Sequence, residues 1–409
     1  MRVLLVGAGG VGSAFTKIAA RRDFIESLVV ADIDAGRAAA AAAAFGAKGK
    51  GVALDASDRS AIEAVLRAEG STVLMNAADP RFVMPLFDAA LAAGVDYVDM
   101  AMSLSRPHPD RPYEECGVKL GDEQFAVADR WEAAGRLALV GMGVEPGLSD
   151  VFARYAADIL FDDIDEVGVR DGANLAVAGY DFAPTFSIWT TIEECLNPPV
   201  IWEADRGWFT TEPFSGAEVF DFPEGIGPVE CVNVEHEEVL LMPRWIEANR
   251  VTFKYGLGDE FIDVLRTLHK LGLDRTEPVS VRGHQVAPRD VVAACLPNPA
   301  DLTTEIEGRT CAGLWVTGRD RDGNPSSQYL YHVADNAETV GRDGAQAVVW
   351  QTALFPVVAL ELIAHGVWSG AGVVGPEAFD AVPFLDLVAG DYGSPWGVQP
   401  VASASEAGR

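Results

Sequence analysis

Apolar runs and amphipathic stretches alternate along the first third of the chain. Arg2-Val-Leu-Leu-Val6 is a short apolar run, residues 10–20 form an amphipathic stretch, and Ser27-Leu-Val-Val-Ala-Asp32 is a second apolar run closed by an acid. This order predicts strand, helix and strand in succession. Residues 35–45 then read as an alanine-rich helix, Gly51-Val-Ala-Leu as a strand leading to Asp55, and Thr72-Val-Leu-Met-Asn76 as a buried strand ending in a polar residue. Pro80 to Ala93 and residues 121–134 read as helices, and Val95 to Asp99 and Leu137 to Gly141 as strands. Such alternation predicts an α/β fold with a doubly wound parallel sheet.

From about residue 148 the pattern changes. Strands such as Glu166-Val-Gly-Val-Arg170 and Arg250-Val-Thr-Phe-Lys254 lack a helix between each pair, and aromatic residues and longer loops become common. A second α+β domain with an open mixed sheet is expected. It includes a helix over 258–271 and a hairpin from Leu314 to Val333 around Asp320-Arg-Asp-Gly323-Asn. Gly341 to His365 reads as a long, mostly buried helix that returns to the first domain. With Gly7-x-Gly9-x-x-Gly12 directly after the first strand and opening the helix, the expected division is 1–147 for a dinucleotide-binding (Rossmann) domain and 148–340 for a substrate and dimerisation domain. Residues 341–397 would form the helical return, and 398–409 a loose tail rich in Ser, Ala and Gly. No internal repeat is visible.

Composition narrows the function class. At 409 residues and 49% hydrophobic content the chain can bury two sizeable cores. A formal charge of -30 argues against nucleic acid, whose phosphates the surface would repel. No uninterrupted apolar run has the length of a membrane span, and Met1 leads directly into the first strand, so a cytoplasmic protein without a membrane partner is expected. The five cysteines are far apart and none pairs with a histidine at ligand spacing, so neither disulfides nor a metal site is expected.

The candidate chemistry starts at Gly7-x-Gly9-x-x-Gly12. Gly7 permits the sharp exit from the strand, Gly9 lets the backbone approach a pyrophosphate, and Gly12 lets the helix pack closely on the sheet. Gly10 and Val11 open the helix whose unpaired N–H groups would face the phosphates. Asp32 ends the second strand, where a carboxylate binds both ribose hydroxyls and repels a 2′-phosphate. NAD is therefore the expected cofactor, with NADP left open by Arg37 nearby. Asp55 is placed near the adenine edge and Asn76 with Ala77 near the nicotinamide ribose. The loop Gly141-Met-Gly-Val-Glu-Pro-Gly147 would cover the nicotinamide face.

These segments resemble the saccharopine dehydrogenase (saccharopine reductase-like) family, which includes lysine 6-dehydrogenases, carboxynorspermidine synthases and homospermidine synthases. The likeness rests on Val-Gly-Ala-Gly-Gly-Val-Gly12, Val-Leu-Met-Asn76-Ala-Ala, Ala-Ala-Gly-Val-Asp-Tyr-Val-Asp99, Gly-Val-Glu145-Pro-Gly-Leu-Ser-Asp and the returning C-terminal helix. It is sharp up to about residue 150. The resemblance implies hydride transfer that interconverts an amine and an imine.

Amine–imine chemistry needs a carboxylate to hold an ammonium and a group to move its proton. The run Val232-Asn-Val-Glu235-His236-Glu237-Glu238 offers both types, provided that it bends or ends a strand so that all its side chains can face one cleft. His236, Glu235 and Glu145 are the catalytic candidates. Glu237, Trp189, Thr190 and Arg170 are the substrate-binding candidates, Arg170 as a guanidinium fork for a carboxylate. An exposed acidic turn, a helix-start acid at Glu145, a core Trp189 and a plain salt bridge at Arg170 are the competing readings. The expected function is an NAD-dependent oxidoreductase acting on a C–N bond of an amino acid or polyamine, as a homodimer. A polyamine-forming synthase and a non-catalytic NAD-binding regulator remain alternatives. A C–O or aldehyde dehydrogenase fits less well, because the chain lacks a Tyr-x-x-x-Lys pair and a cysteine after a sheet strand.

Overall fold

The fold was analysed in a computed structural model, which describes residues 1–401. Its first layer grows from apolar strands that run parallel because a helix separates each pair. In chain order these are β1 (Arg2–Val6), α1 (Gly10–Ala19), β2 (Ser27–Asp32), α2 (Ala35–Ala43), β3 (Gly49–Ala53), α3 (Arg59–Ala68), β4 (Val73–Asn76), α4 (Val83–Ala93), β5 (Asp96–Asp99) and β6 (Leu137–Leu139). The sheet order is β3-β2-β1-β4-β5-β6, so the strand order reverses between β1 and β4, where a dinucleotide crevice forms. A seventh parallel strand, Gly372–Val374, joins beyond β6 and was not anticipated. The helix expected over 121–134 is two short helices, α5 (Asp122–Phe125) and α6 (Ala128–Ala133).

After α7 (Leu148–Tyr155) the chain enters a mixed sheet of nine strands built on β7 (Phe161–Ala173). β7 pairs in parallel with Arg250–Tyr255 and antiparallel with Arg309–Asp320, which forms the expected hairpin with Pro325–Asp335. The strand Gly227–Asn233 ends beside Arg250–Tyr255, and α8 (Ile188–Leu196) and α9 (Glu238–Leu241) pack near that end. α10 (Asp259–Leu271) and α11 (Pro288–Cys295) follow.

The return segment consists of α12 (Asn336–Asp343) and α13 (Ala347–Ala364), a shorter helix than the sequence predicted because Gly344 ends α12 and Gln346 caps α13. α13 is long and apolar enough to cross a membrane, contrary to the sequence expectation, yet most of it is buried in the protein core. Arg22 at the end of the first helical segment binds Glu361 of α13 at 2.5 and 2.8 Å, and the Tyr392 hydroxyl donates to Glu361 at 2.6 Å. These partly buried, charge-assisted bonds fix the return helix against the parallel sheet. Residues 398–400 are a correction to the expected tail: with Gly397 they form a strand antiparallel to Pro325–Asp335. Residues 402–409 lie outside the described residues.

The Gly-rich turn is set by close approach. Gly7 has φ +105°, and a Cβ there would strike the Ala77 carbonyl, while a Cβ on Gly12 would land on the Gly7 carbonyl oxygen. Gly12→Ala should therefore push α1 off the turn, at about 1–3 kcal/mol for overpacking. A lowered melting temperature together with lost NADH fluorescence enhancement is the expected outcome.

Candidate active site

A cleft of about 290 Å³ opens at the carboxyl ends of the parallel strands. Gly9, Gly10, Val11, Asn76 and Ala77 form one wall. A Cβ on Gly9 would meet nothing within 4 Å, so the backbone there faces open space, and the first turn of α1 carries no acid. Open space before unpaired helix amides suits a pyrophosphate. Asp32 accepts from the Ala8 and Asp34 amides, each at 2.9 Å, and from the Arg37 guanidinium at 2.8 Å. Burial opposes its charge, but these donors together hold its carboxyl below the usual range. Asn76 is fixed by donating to the Tyr97 hydroxyl at 3.0 Å and accepting from Ala78 at 2.9 Å. Asp55 is exposed beyond β3 and bonded to Ser57.

Carboxylates and small polar groups form the opposite wall. The loop after β6 folds on itself: Gly143 donates to the Pro146 carbonyl at 2.6 Å, and Gly141 donates to the buried Asp99 at 2.7 Å. This places Glu145 on the cleft, hydrogen-bonded to Ser149 and close enough to Glu238 for the two carboxyls to influence each other. The strand Gly227–Asn233 stops before the acidic run and α9 begins at Glu238, so Glu235, His236, Glu237 and Glu238 are all buried. His236 meets Glu238 at 2.5 Å and stacks on Phe253 with centroids 3.9 Å apart. Glu237 accepts from the Met102 amide at 3.1 Å and reaches the cleft with Glu194 and Thr190 of α8.

Two family models divide the chain: the "Saccharopine dehydrogenase NADP binding domain" matches residues 3–139 and the "Saccharopine dehydrogenase C-terminal domain" residues 143–393. The chain belongs to the saccharopine dehydrogenase family. It is a nicotinamide-dependent oxidoreductase that interconverts an amine and an imine. A carboxyaminopropylagmatine dehydrogenase from Synechocystis is 32% identical over 397 residues, 97% of this chain and 96% of that one. A carboxynorspermidine synthase from Vibrio alginolyticus is 28% identical over 410 residues, 98% and 97% of the two chains. The fold is shared with saccharopine dehydrogenase from Saccharomyces cerevisiae (TM-score 0.68, 16% identity, 98% of this chain and 100% of that chain). It is also shared with homospermidine synthase from Legionella pneumophila solved with NAD (TM-score 0.68, 15% identity, 100% and 93%).

Within this family member the sequence candidates separate. Glu145, Glu237, Thr190, Asn76, Ala77 and the Gly-rich turn line one cleft. Arg170 is a correction: it lies inside β7, only 1% exposed, with its guanidinium bound to Glu218 and no access to the cleft. Trp189 also lies off the cleft wall, sandwiched between the guanidiniums of Arg81 and Arg289 at 4.4 and 4.6 Å. Glu235 turns away to Ser105 and Asn197 at 2.8 and 2.9 Å. His236 does not line the cleft: it is bound to Glu238 and lies 3.5 Å from Glu237, which does. Glu194, Phe186, Ser187 and Thr352 also line the cleft and are not among the residues singled out from the sequence. Only Glu194 carried a sequence signal, as an acid on the helix of Trp189.

The charge balance is unusual for an interior. Burial pushes Glu194 up to about 8 and Asp171 to about 7, and it raises Glu145 well above the carboxyl range with Glu238 adding to the effect. Burial also opposes the His236 charge, but Glu238, Glu237 and Glu194 overcome it and raise His236 to about 10. His236 is thus an imidazolium at neutral pH and holds Glu238 ionised, in place of the neutral base expected from the sequence. The ligand atoms of His236, Glu237 and Glu238 converge within 4.8 Å, with the imidazolium supplying the positive charge that a metal would bring.

Carboxyls raised in the folded state favour folding at low pH and lose that contribution as pH rises through their folded values, and the raised His236 acts in the same direction. The ligand-free protein should therefore melt at progressively lower temperature from pH 6 to pH 9. Glu194→Gln should flatten the slope near pH 8 in differential scanning fluorimetry.

Proposed function

We propose that the substrate is a cationic secondary amine, an amino-acid side chain joined to an agmatine or polyamine chain, oxidised or formed by reduction of its imine. The observation that carries this reading is the lining of the cleft: Asp79, Glu145, Glu194 and Glu237 border it, and no Lys, Arg or His does among the described residues. A substrate with several carboxylates would need guanidinium partners. Arg170, the arginine named from the sequence, is bound to Glu218 inside the sheet. A polycation instead adds positive charge beside Glu145, Glu194 and Glu237. The names of the two curated relatives, one built on agmatine and one on norspermidine, agree with that chemistry.

The bound nicotinamide would supply or remove a hydride at the substrate carbon. Glu145, protonated beside Glu238, is placed to give a proton to the amine nitrogen formed by reduction and to take it back in oxidation. Glu237 and Glu194 hold the ammonium, and Ser187 and Thr190 offer hydrogen bonds to the amino-acid end. His236 is a positioning residue, fixing Glu238 and through it Glu145. Phe253 covers the imidazolium and keeps water from it.

NAD is proposed as the preferred cofactor, although the family model carries the NADP name. Asp32 occupies the ribose position as a held carboxylate, and Arg37 is already engaged by it. A cytoplasmic setting is also proposed and fits five unpaired cysteines. Half-buried Val229, Trp315, Tyr331 and Val333 on one sheet face support the proposed homodimer.

The test is NADH formation with carboxyaminopropylagmatine, carboxynorspermidine, saccharopine and lysine at alkaline pH. Turnover of a polyamine-type amine is expected, with Glu145→Gln reducing kcat on the order of a hundredfold. Preference for saccharopine would overturn the reading. Asp32→Ser should raise kcat/KM with NADP and lower it with NAD, whereas an unchanged ratio would remove Asp32 from cofactor choice.

A further inference from the structure

A second cavity, about 510 Å³, meets the catalytic cleft at Phe186, which borders both. Adjacent residues continue from one space to the other, Thr190 and Thr191 on α8 and Val349 and Val348 on α13. Its walls are aromatic: Tyr180, Phe182, Tyr255 and Phe261 line it, with the Phe182 and Phe261 rings 5.0 Å apart. Its rim carries Asp181, Asp259 and Glu260, all exposed and without an ion pair among the described residues, and no basic side chain lines it. Tyr255 is half-buried, and its hydroxyl makes no hydrogen bond among the described residues, so it is free to take one from a ligand.

We infer that this cavity is the subsite for the far cationic end of the substrate, an alkyl guanidinium or ammonium, with Phe186 as the threshold between reacting nitrogen and distal charge. The inference rests on the proposed polyamine-type substrate and adds where its second charge goes. Aromatic faces attract a cation and the rim carboxylates attract it further, while the alkyl chain crosses the apolar contact at Phe186. The loop that carries Tyr180 to Phe186 then selects chain length and end group, and the Glu145 wall performs the chemistry.

The experiment compares carboxyaminopropylagmatine, carboxynorspermidine and an analogue of the same length ending in a methyl group. The wild-type protein and the variants Phe182→Ala and Asp181→Asn/Asp259→Asn/Glu260→Gln would be used. The wild type should prefer the cationic substrates. Each variant should lose about tenfold in kcat/KM for them, equivalent to about 1.4 kcal/mol, with turnover of the methyl analogue unchanged by Asp181→Asn/Asp259→Asn/Glu260→Gln. The guanidinium and ammonium arms show which end group the cavity prefers. Isothermal titration with agmatine alone should show binding that both variants weaken. Equal wild-type turnover of cationic and methyl-ended substrates would overturn the subsite and leave the polyamine reading standing. Absence of turnover with all three, alongside activity on saccharopine, would instead overturn the underlying reading.

Discussion

The contact between His236 and Glu238 is the constraint around which the catalytic wall is arranged. Buried carboxylates are tolerated only when a counter-charge or a shared proton compensates them. Here Glu145, Glu194, Glu237, Glu238 and Asp171 crowd one region, and the His236 imidazolium is the cation at their centre. With Glu238 held ionised by that contact, burial and the Glu238 charge push Glu145 toward its neutral form, which removes the repulsion between the two carboxyls. Remove the imidazolium and the division of labour between these two carboxyls disappears. The stacking of Phe253 on the ring shields the pair from water, which strengthens each electrostatic term.

Backbone geometry delivers these groups from distant parts of the chain. The loop after β6 is folded by the Gly143–Pro146 hydrogen bond and tied to β5 through Asp99. The acidic run can turn wholly inward because its strand ends at Asn233, so the two-residue alternation of a strand no longer divides its side chains between faces. α13 closes the cleft from a third direction, anchored by Arg22 and Tyr392 on Glu361. The cleft is therefore a product of both sheets and the return helix, and no single segment contains it.

This explains what was legible in the sequence. The β1–α1–β2 unit was readable because its determinants are local: a glycine forced by a neighbouring carbonyl, a helix start, and an acid within reach of the turn amides. The acidic run was recognisable by composition, but its inward direction depended on where the strand stopped. Arg170 was misassigned because its partner Glu218 lies on another strand, 48 residues away, and side-chain pairing across a sheet leaves no periodic signal. Trp189 was drawn toward the substrate by its helix, whereas Arg81 and Arg289, from two separate segments, claim its ring. The strand at 397–400 escaped notice because a short edge strand owes its existence to the partner that it pairs with.

The two walls of the cleft solve an electrostatic problem that the net charge of -30 creates. An acidic protein must bind a dinucleotide whose phosphates are also negative. The Gly-rich turn answers this with backbone amides and an α1 first turn free of acids, so the attraction comes from oriented dipoles and needs no basic side chain. The far wall keeps its carboxylates for the amine. A cationic substrate, as proposed, would be attracted by these acids and at longer range by the cofactor phosphates. Each ligand thereby improves the field for the other, a coupling that must be reciprocal. Selection of an amine is thus built into the same charge arrangement that allows an anionic cofactor into an anionic protein.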